Sequence, residues 1–555
     1  MKCLWALMLV FTAPCTSVQW SSNEETALDA LIMDVLSCFN IPGLSLALVK
    51  NGRIILAKGY GVKDELSREP VKNTTLFDIG SLTKAFAATL LSKELYGMGL
   101  HLDTPLTSVE GLRDLKFSTE ELTSHVTARD LLSHRTGILN YDKARLNGEI
   151  TLDNLAEHLP DFEAGYPLRS KFLYNNLMYG LVGHVTQRLT GKRWADALQD
   201  ELLTPLRMLN TAVLNSTNYE QFHLPTPYDF PDDTPYEPRQ ISTDVLKLWS
   251  MNPPSMAIVS DAIDMGKWLL FQLNKGKAEG GLQVVSKKAL AEVYRPVILS
   301  FHPRNKLTVR PTTPVTLLFE EYGCAWKSGH YRGYPIVAHT GSTHGFSSIL
   351  SFIPSKQSGI YLNFNAMDRP HLRRHVLMAH LLDVVLEEKP WLNSSTICTF
   401  PAPFAQWQHT PKSGVNKTPG TGTRPLNNYA GQYHHPVFGT VTVAHNDTEP
   451  FLRMFYGPLG QWVLHPNKSD EFYGEGEGAV WNFDLWGLKF SSQDKNSGEI
   501  DVFVITSFEE RKPPVFLKVT GKQTTSVSDV GFLSYLILFL FTLLARYKLK
   551  KLIRT

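Results

Sequence analysis

Residues 77–86, Phe-Asp-Ile-Gly-Ser-Leu-Thr-Lys-Ala-Phe, place a serine and a lysine three positions apart. Apolar residues at helical spacing follow and end at Gly97, which predicts a helix. In a helix Lys84 lies one turn beyond Ser81 on the same face. Because a serine needs a nearby base to become a nucleophile, the pair predicts nucleophilic catalysis close to a helix N-terminus. Alone, the pattern is also compatible with an N-capping serine and a solvated lysine.

A second candidate element is Tyr174-Asn175-Asn176, at the start of an apolar periodic segment that ends at Gly191. We expect a helix that opens at Lys171. A tyrosine beside a cationic lysine can have its pKa lowered, so Tyr174 is a candidate general base. Asn176 could bond a substrate amide or hold the lysine. The structural alternative for Tyr174 is a buried phenol bonded to backbone.

The third element is His339-Thr340-Gly341-Ser342, which follows an apolar strand predicted at 336–339. A strand edge that ends in small residues allows a substrate backbone to lie beside it. We therefore expect Thr340, Gly341 and Ser342 to bind substrate. The Ser342 N–H could join the Ser81 N–H in an oxyanion hole.

These three elements, in this order and spacing, resemble the serine β-lactamase and penicillin-binding-protein superfamily, and most of all its class C β-lactamase-like branch. The resemblance covers roughly residues 27–388. It implies an α/β (α+β) fold: an antiparallel sheet flanked by helices, an all-helical subdomain and, as in some members, an appended small all-β domain. It also implies an acyl-serine intermediate, and it makes Ser81, Lys84, Tyr174, Asn176 and His339 the candidate catalytic residues.

Two departures from the family pattern bear on the substrate. His339 stands where β-lactamases carry a lysine, and a histidine is mostly uncharged near pH 7, so β-lactam hydrolysis is not supported. No counterpart of the deacylating glutamate of class A enzymes is recognisable, so deacylation would use Tyr174. The resemblance leaves an ester or a small peptide-like amide as the expected substrate.

Hydrophobic periodicity predicts the remaining elements of the first domain, residues 18–400. Asn51-Gly52 between two apolar runs predicts a β-hairpin. The proline-rich, aperiodic stretch 218–254 is interpreted as a long surface insertion or loop. Ser260 is the expected cap of a helix over 262–273. Further helices are predicted at 26–39, 128–132 and 371–386, and strands at 347–353 and 360–365.

The C-terminal third has a different composition. Residues 401–425 are rich in Pro, Gly, Thr and Lys and are predicted to be a linker. Residues 426–520 contain short aromatic strands, typical of a small all-β sandwich or barrel. The strands are predicted at 439–444, 451–455, 461–464, 478–483 and 502–505.

Both termini indicate the secretory route. Residues 1–17 have the pattern of a signal peptide. Residues 530–545 are apolar and uncharged, and the basic tail 546–555 follows, which predicts a single-pass type I transmembrane anchor with an extracellular catalytic domain. Acceptor sequences for N-glycosylation stand at Asn73, Asn215, Asn393, Asn416, Asn446 and Asn467.

Charge and composition exclude some classes of partner. A formal net charge of +2 gives no support for nucleic-acid binding. We predict no metal and no cofactor: His371 and His375 have a zinc-compatible spacing, but no glutamate accompanies them. After removal of the signal peptide Cys38, Cys324 and Cys398 remain, which allows at most one disulfide.

Two functions are compatible with these patterns. The first is an extracellular serine hydrolase that acts on a small-molecule or peptide-like substrate and is held to the membrane by its C-terminal span. The alternative is a catalytically inactive binding or matrix protein that keeps the fold. The Ser81, Lys84 and Tyr174 set favours the hydrolase.

Overall fold

A computed structural model describes residues 21–215, 218–231, 237–300, 308–368, 372–405, 424–494 and 498–519. The α-helices are α1 Ser22–Phe39, α2 Thr83–Gly97, α3 Glu120–His125, α4 Ala128–Leu132, α5 Asn176–Thr190, α6 Trp194–Leu198, α7 Pro253–Met256, α8 Ala262–Leu273, α9 Lys287–Tyr294, α10 Arg373–Leu386 and α11 Ser394–Thr399. The strands are β1 Gly43–Lys50, β2 Arg53–Gly61, β3 Phe77–Asp78, β4 Ala212–Val213, β5 Tyr228–Asp229, β6 Arg239–Gln240, β7 Ile258–Ser260, β8 Ile298–Leu299, β9 Leu317–Tyr322, β10 Lys327–Tyr331, β11 Tyr334–Thr343, β12 Phe346–Ile353, β13 Ser358–Phe364, β14 Gly431–His435, β15 Gly439–His445, β16 Leu452–Tyr456, β17 Gly460–Lys468, β18 Glu471–Gly476, β19 Leu485–Ser491, β20 Val502–Ile505 and β21 Val515–Lys518.

The main sheet of the described residues is antiparallel, with the order β2-β1-β13-β12-β11-β10-β9-β8. The predicted hairpin is β1 and β2, joined at Asn51 and Gly52. All residues of β1, β12 and β13 are buried, because helices cover both faces at the centre of the sheet. This arrangement confirms the predicted antiparallel sheet flanked by helices.

Successive side chains of β1 point alternately into two hydrophobic clusters, one on each face of the sheet. Leu46 and Leu48 belong to the same apolar cluster as residues of α1 and α10. Ala47 and Val49 belong to the cluster that contains Trp268 of α8. Because successive side chains of a strand point to opposite faces, the uninterrupted apolar sequence of β1 fills both layers.

The helical part of the domain lies in the chain between β2 and β8, and α2 is at its centre. The first ten residues of α2 are buried, and the helix packs against α5, α7 and α9. A helix that is buried on nearly all sides needs small and apolar residues around its whole circumference, and α2 supplies them. The short 3-10 helix Gly80–Leu82, which leads into α2, contacts β11 of the sheet. Ser81 is therefore at the junction of the sheet and the helical part.

Three details differ from the sequence predictions. The helix expected from Lys171 begins at Asn176, because the Asn175 side chain caps it by accepting the Met178 N–H. Asp261, not Ser260, caps α8. Within the stretch expected to be a surface loop, Tyr228 and Trp249 are buried, so much of it is packed structure.

The described residues contain one disulfide, between Cys38 at the end of α1 and Cys398 in α11, while Cys324 is a buried free thiol. None of the described helices combines the length and the apolar character that crossing a bilayer requires. The predicted signal peptide, the predicted span at 530–545, the basic tail and most of the predicted linker lie outside the described residues.

The C-terminal strands β14 to β21 form a closed barrel with an aromatic core. The strand expected at 478–483 is wrong: that segment is a short 3-10 helix, Gly478–Val480, followed by a turn, and the strands on either side are β18 and β19. The barrel packs on the first domain. The Tyr456 hydroxyl donates to the Lys143 carbonyl at 3.3 Å, and the Asn482 amide donates to Asp229 at 2.9 Å.

Candidate active site

Ser81 lies in a short 3-10 helix, Gly80–Leu82, immediately before α2. Gly80 has a positive φ of 55°, a backbone conformation that favours glycine, and its N–H donates to Asp78 Oδ1 at 2.7 Å. Ser81 is 7% exposed, and its Oγ is 3.1 Å from the Nζ of the fully buried Lys84. The structure therefore brings the predicted nucleophile and base into direct contact.

The Nζ of Lys84 has three buried hydrogen-bonding contacts. Besides Ser81, Nζ contacts two acceptors, Asn176 Oδ1 at 2.7 Å and the Ser255 carbonyl at 3.0 Å. A neutral amine has two N–H donors and one lone pair, so the two acceptors use its donors and the lone pair faces the Ser81 hydroxyl. Burial lowers the pKa of Lys84 well below its usual value, and the Asp142 carboxylate opposes this only partly. Burial thus favours the neutral amine, and the three contacts accommodate it.

Tyr174 lies just before α5, hydrogen-bonded to Ser81 through its hydroxyl. The Lys84 Nζ is 4.8 Å from the centre of the Tyr174 ring. Burial raises the pKa of Tyr174, and the bond to Ser81 opposes this only in part. The expected lowering of its pKa is therefore wrong, because burial disfavours the charged phenolate. Tyr174 is therefore a protonated phenol in contact with Ser81.

Asn176 is the first residue of α5 and links Lys84 to a carboxylate that the sequence analysis did not identify. While its Oδ1 accepts from Lys84, its Nδ2 donates to Asp142 Oδ1 at 3.0 Å. Burial alone would raise the pKa of Asp142, but the charges of Arg145 and Lys143 hold it below its usual value. The ionised Asp142 thus fixes the orientation of the Asn176 amide.

His339 of β11 takes part in a buried chain of hydrogen bonds with Tyr322 and His134. The Asn175 N–H donates to His134 Nδ1 at 3.1 Å, so a neutral His134 carries its proton on Nε2, 3.3 Å from the Tyr322 hydroxyl. Tyr322 in turn is 2.9 Å from His339 Nε2, and His339 Nδ1 is 2.8 Å from the Thr340 carbonyl.

This chain has one consistent set of donors and acceptors. His134 donates to Tyr322, Tyr322 donates to His339 Nε2, and His339 Nδ1–H donates to the Thr340 carbonyl. Burial lowers the pKa of both histidines, so both are neutral. The rings of His134 and His339 pack against Tyr174, with centroid separations of 4.2 Å and 6.4 Å. Both nitrogens of His339 are occupied, and its ring supports Tyr174.

The backbone of β11 approaches the Ser81 turn very closely. A Cβ on Gly341 would lie 2.0 Å from the Ile79 carbonyl, and one on Gly80 would lie 2.8 Å from the Ser342 nitrogen. Arg374 donates to the Gly341 carbonyl and, at 2.9 Å, to Ser342 Oγ. Glycines at both positions therefore allow the Ser342 nitrogen to lie beside the turn that carries Ser81.

Ser81 opens into a cavity of about 1170 Å³. Tyr174, Asn176, His339, Thr340 and Ser342 also line this cavity, so all the predicted site residues with accessible side chains face one space. The other charged side chains in its lining are mostly cationic, namely Lys143, Arg145, Arg169, Lys171 and Lys327. Burial lowers the pKa of Lys327 to about 8, and the charge of Arg374 acts in the same direction.

Several residues of this site carry no recognisable sequence signal. Asp142 lies in a short 3-10 helix, Asp142–Leu146, and Ser255 lies in α7, just after the stretch 218–254 that was expected to be a loop. Both reach Lys84 only through the tertiary fold. The hydrogen bonds of Tyr322 to His134 and to His339 depend on strand pairing that the sequence does not specify.

Comparisons with known proteins agree with this geometry. A family model described as Beta-lactamase matches residues 29–383. The unguisins hydrolase ungD' of Aspergillus campestris is 26% identical over 446 residues, which cover 76% of this chain and 78% of that protein.

Solved structures share the fold. The octameric penicillin-binding protein homologue from Pyrococcus abyssi aligns with a TM-score of 0.54 at 17% identity and covers 89% of this chain and 100% of its own. The D-amino acid amidase from Ochrobactrum anthropi SV3 aligns with a TM-score of 0.51 at 21% identity and covers 66% of this chain and 98% of its own. The fold class predicted from the sequence is confirmed.

Proposed function

Because this chain belongs to the Beta-lactamase family, we propose that it is a serine hydrolase that cleaves an ester or a small peptide-like amide through an acyl-enzyme on Ser81. The main support for this proposal is the group of hydrogen-bonding contacts around Lys84 Nζ. Two acceptors at 2.7 and 3.0 Å use the N–H donors of a neutral amine and direct its lone pair to the Ser81 hydroxyl at 3.1 Å. A serine with a neutral base in place is an activated nucleophile.

The reaction follows from these contacts. Ser81 Oγ bonds to the substrate carbonyl carbon while the serine proton passes to Lys84. The N–H groups of Ser81 and Ser342 stabilise the oxyanion. When the bond to the leaving group breaks, Tyr174 donates its proton to the leaving oxygen or nitrogen and recovers one from Lys84. Water then cleaves the acyl-serine ester with the same groups acting in reverse, which releases the acid and restores Ser81.

The role of Tyr174 indicates where the two halves of the substrate lie in the cavity. Tyr174 protonates the leaving group, so the leaving group lies on the side of Tyr174, His339 and Lys327. We assign the part of the lining next to Asn176 and Asp142 to the acyl group. Thr340, Gly341 and Ser342 form the edge along which the substrate backbone lies.

The charge of the cavity supports an anionic substrate. Lysine and arginine side chains line both of its sides, and among the described residues of the lining Asp142 is the only carboxylate. Positive walls in a cleft attract an anion and raise its local concentration. An amide substrate is compatible with the names of two similar proteins, an unguisins hydrolase and a D-amino acid amidase.

The test combines covalent labelling with turnover. The purified protein is treated with a fluorophosphonate and assayed with a p-nitrophenyl ester, beside Ser81→Ala and Ser170→Ala. Ser170 also lines the cavity but has no contact with Lys84, so it is the matched control. We expect one adduct on Ser81 and a loss of turnover of about 1000-fold or more in Ser81→Ala only. Wild-type protein that is folded yet gains no adduct would favour a binding protein instead.

We also propose that the catalytic domain is extracellular, as the terminal segments indicate. The Cys38–Cys398 disulfide supports this, because such bridges persist in oxidising compartments. Surface biotinylation of cells that express the full chain tests it, together with the shift in mass after removal of N-glycans. A cytosolic, unglycosylated protein with reduced cysteines would contradict it.

A further inference from the structure

The acyl side of the cavity contains a buried arginine that the proposed reaction does not use. Arg145 is 5% exposed and lines the same cavity as Ser81, together with Trp249, Met256 and His344. It belongs to the 3-10 helix Asp142–Leu146, whose first residue is the partner of Asn176. Arg145 therefore lies beside the catalytic groups on the side assigned to the acyl group.

The hydrogen bonds of Arg145 are incomplete. Its Nη2 is 3.2 Å from His344 Nε2, whereas within the described residues Nε and Nη1 have no hydrogen-bond partner. The nearest carboxylate oxygen in the recorded ion pairs, Asp142 Oδ2, is 3.9 Å from Nε, which is too long for a hydrogen bond. Buried donors without acceptors are unfavourable, and a charged donor more so than a neutral one. Two buried guanidinium N–H groups of a residue that lines the cavity thus lack an acceptor in the described part of the chain.

Packing holds the guanidinium in place. Its Cζ is 4.3 Å from the centre of the Trp249 ring, a cation–π contact that fixes the guanidinium against the ring. The backbone next to it is held by the barrel, since the Tyr456 hydroxyl donates to the Lys143 carbonyl. Trp249 and Met256 also give this part of the cavity an apolar wall, along which an aliphatic chain can lie.

We propose that Arg145 binds a carboxylate carried by the acyl half of the substrate, so that the enzyme prefers acyl groups that end in a negative charge. This proposal rests on the proposed serine mechanism, because that mechanism decides which side of the cavity receives the acyl group. The acyl chain runs along Trp249 and Met256, and its carboxylate accepts hydrogen bonds from the free guanidinium N–H groups. Charge-assisted bonds of this kind are stronger than neutral ones.

The experiment compares two esters that differ only in that charge. Mono-p-nitrophenyl adipate has a free carboxylate at the end of its acyl chain, and methyl p-nitrophenyl adipate has the same chain with the charge masked. We expect wild type to have a kcat/KM for the anionic ester about 10-fold or more above that for the methyl ester, the effect of one hydrogen-bonded charge. In Arg145→Met the ratio should fall to about one, and Arg145→Lys should keep part of the preference, since lysine retains the charge without the planar donors.

A charge-matched control and three contrary outcomes complete the test. Arg193→Met removes an exposed arginine far from the cavity lining and should keep the wild-type ratio. A wild-type ratio of one or less, with turnover that needs Ser81, would overturn the role of Arg145 and leave the serine mechanism standing. An unchanged ratio in Arg145→Met would also overturn it. If Ser81→Ala still hydrolysed both esters, the mechanism itself would be wrong, and the assignment of the acyl side with it.

Discussion

The protonation of Lys84 decides whether Ser81 is activated, and two opposing effects set it. Burial lowers the pKa of the amine, while the Asp142 carboxylate raises it through the intervening Asn176 amide. Asp142 therefore orients Asn176, but it also favours the protonated lysine that cannot accept the serine proton. Lys84 is a neutral base only if burial lowers its pKa more than Asp142 raises it.

Asp142→Asn tests that balance. The substitution removes the charge that raises the pKa of Lys84 and keeps an oxygen that can accept from Asn176. Serine labelling increases as Lys84 loses its proton, so the acid limb of the pH profile for fluorophosphonate labelling should move to lower pH. The rate of labelling is measured across pH in wild type and variant. A limb that moves to higher pH would contradict the account.

Tyr322→Phe tests the chain that supports Tyr174. Without the hydroxyl, His134 Nε2 and His339 Nε2 both lose their partner in the buried chain, at a cost of about 1–3 kcal/mol in the free energy of unfolding. We expect kcat to fall more than KM rises, because Tyr174 loses support at the proton-transfer step. Urea unfolding and steady-state kinetics measure both effects.

Tyr334→Phe is the control for that substitution. Its hydroxyl is 3.4 Å from Glu388 and away from the cavity lining, so its removal should change stability by less than about 0.5 kcal/mol. Equal effects of the two substitutions would mean that the Tyr322 hydroxyl has no special role.

At the scale of elements, the site depends on how closely β11 approaches the start of α2. Gly341→Ala would place a Cβ 2.0 Å from the Ile79 carbonyl and 2.2 Å from Ser348 Oγ. The strand must then move away from the Ser81 turn. We expect a loss of about 1–3 kcal/mol in stability, and a fall in kcat/KM because the Ser342 N–H leaves the oxyanion position.

Gly97→Ala is the matched control for Gly341→Ala. A Cβ on Gly97, at the end of α2, would meet no atom within 4 Å. Alanine favours helix more than glycine, so this variant should be as stable as wild type or slightly more so. Thermal unfolding and ester turnover compare the pair, and an active, stable Gly341→Ala protein would refute the close-approach argument.

Much of this element-level picture can be predicted from local patterns. Ser81, Lys84 and Tyr174 belong to short motifs, and the hairpin and α4 follow from turn residues and apolar spacing. The start of α5 differs from the prediction although Asn175 is a good N-cap, because the apolar residues before Asn175 continue the pattern of the helix. Asp142, Ser255 and Arg145 were not predicted, since only tertiary contacts bring them to the site.

At the scale of the molecule, the barrel supports one wall of the cavity. A Cβ on Gly457, in the turn after β16, would lie 1.9 Å from the Leu146 carbonyl. Leu146 closes the 3-10 helix that carries Asp142 and Arg145. The barrel is therefore packed against the segment that orients Asn176 and forms the acyl side of the cavity.

Gly457→Ala and Gly478→Ala form a matched pair for this contact. The two glycines have nearly the same backbone angle, φ of 60° and 58°, but a Cβ on Gly478 would meet nothing within 4 Å. Both variants carry the same backbone strain, so any difference between them measures the contact. We expect only Gly457→Ala to lower kcat/KM, and the kinetics of both variants test this. Equal activity would show that the barrel does not support the site.

The acyl-enzyme is the central claim, and rapid-quench intact-mass spectrometry with methyl p-nitrophenyl adipate tests it most directly. We expect a transient mass increase equal to one methyl adipoyl group, located on Ser81 by peptide mapping and absent in Ser81→Ala. Hydrolysis of the ester with no adduct at any time, or with an adduct on another residue, would contradict it.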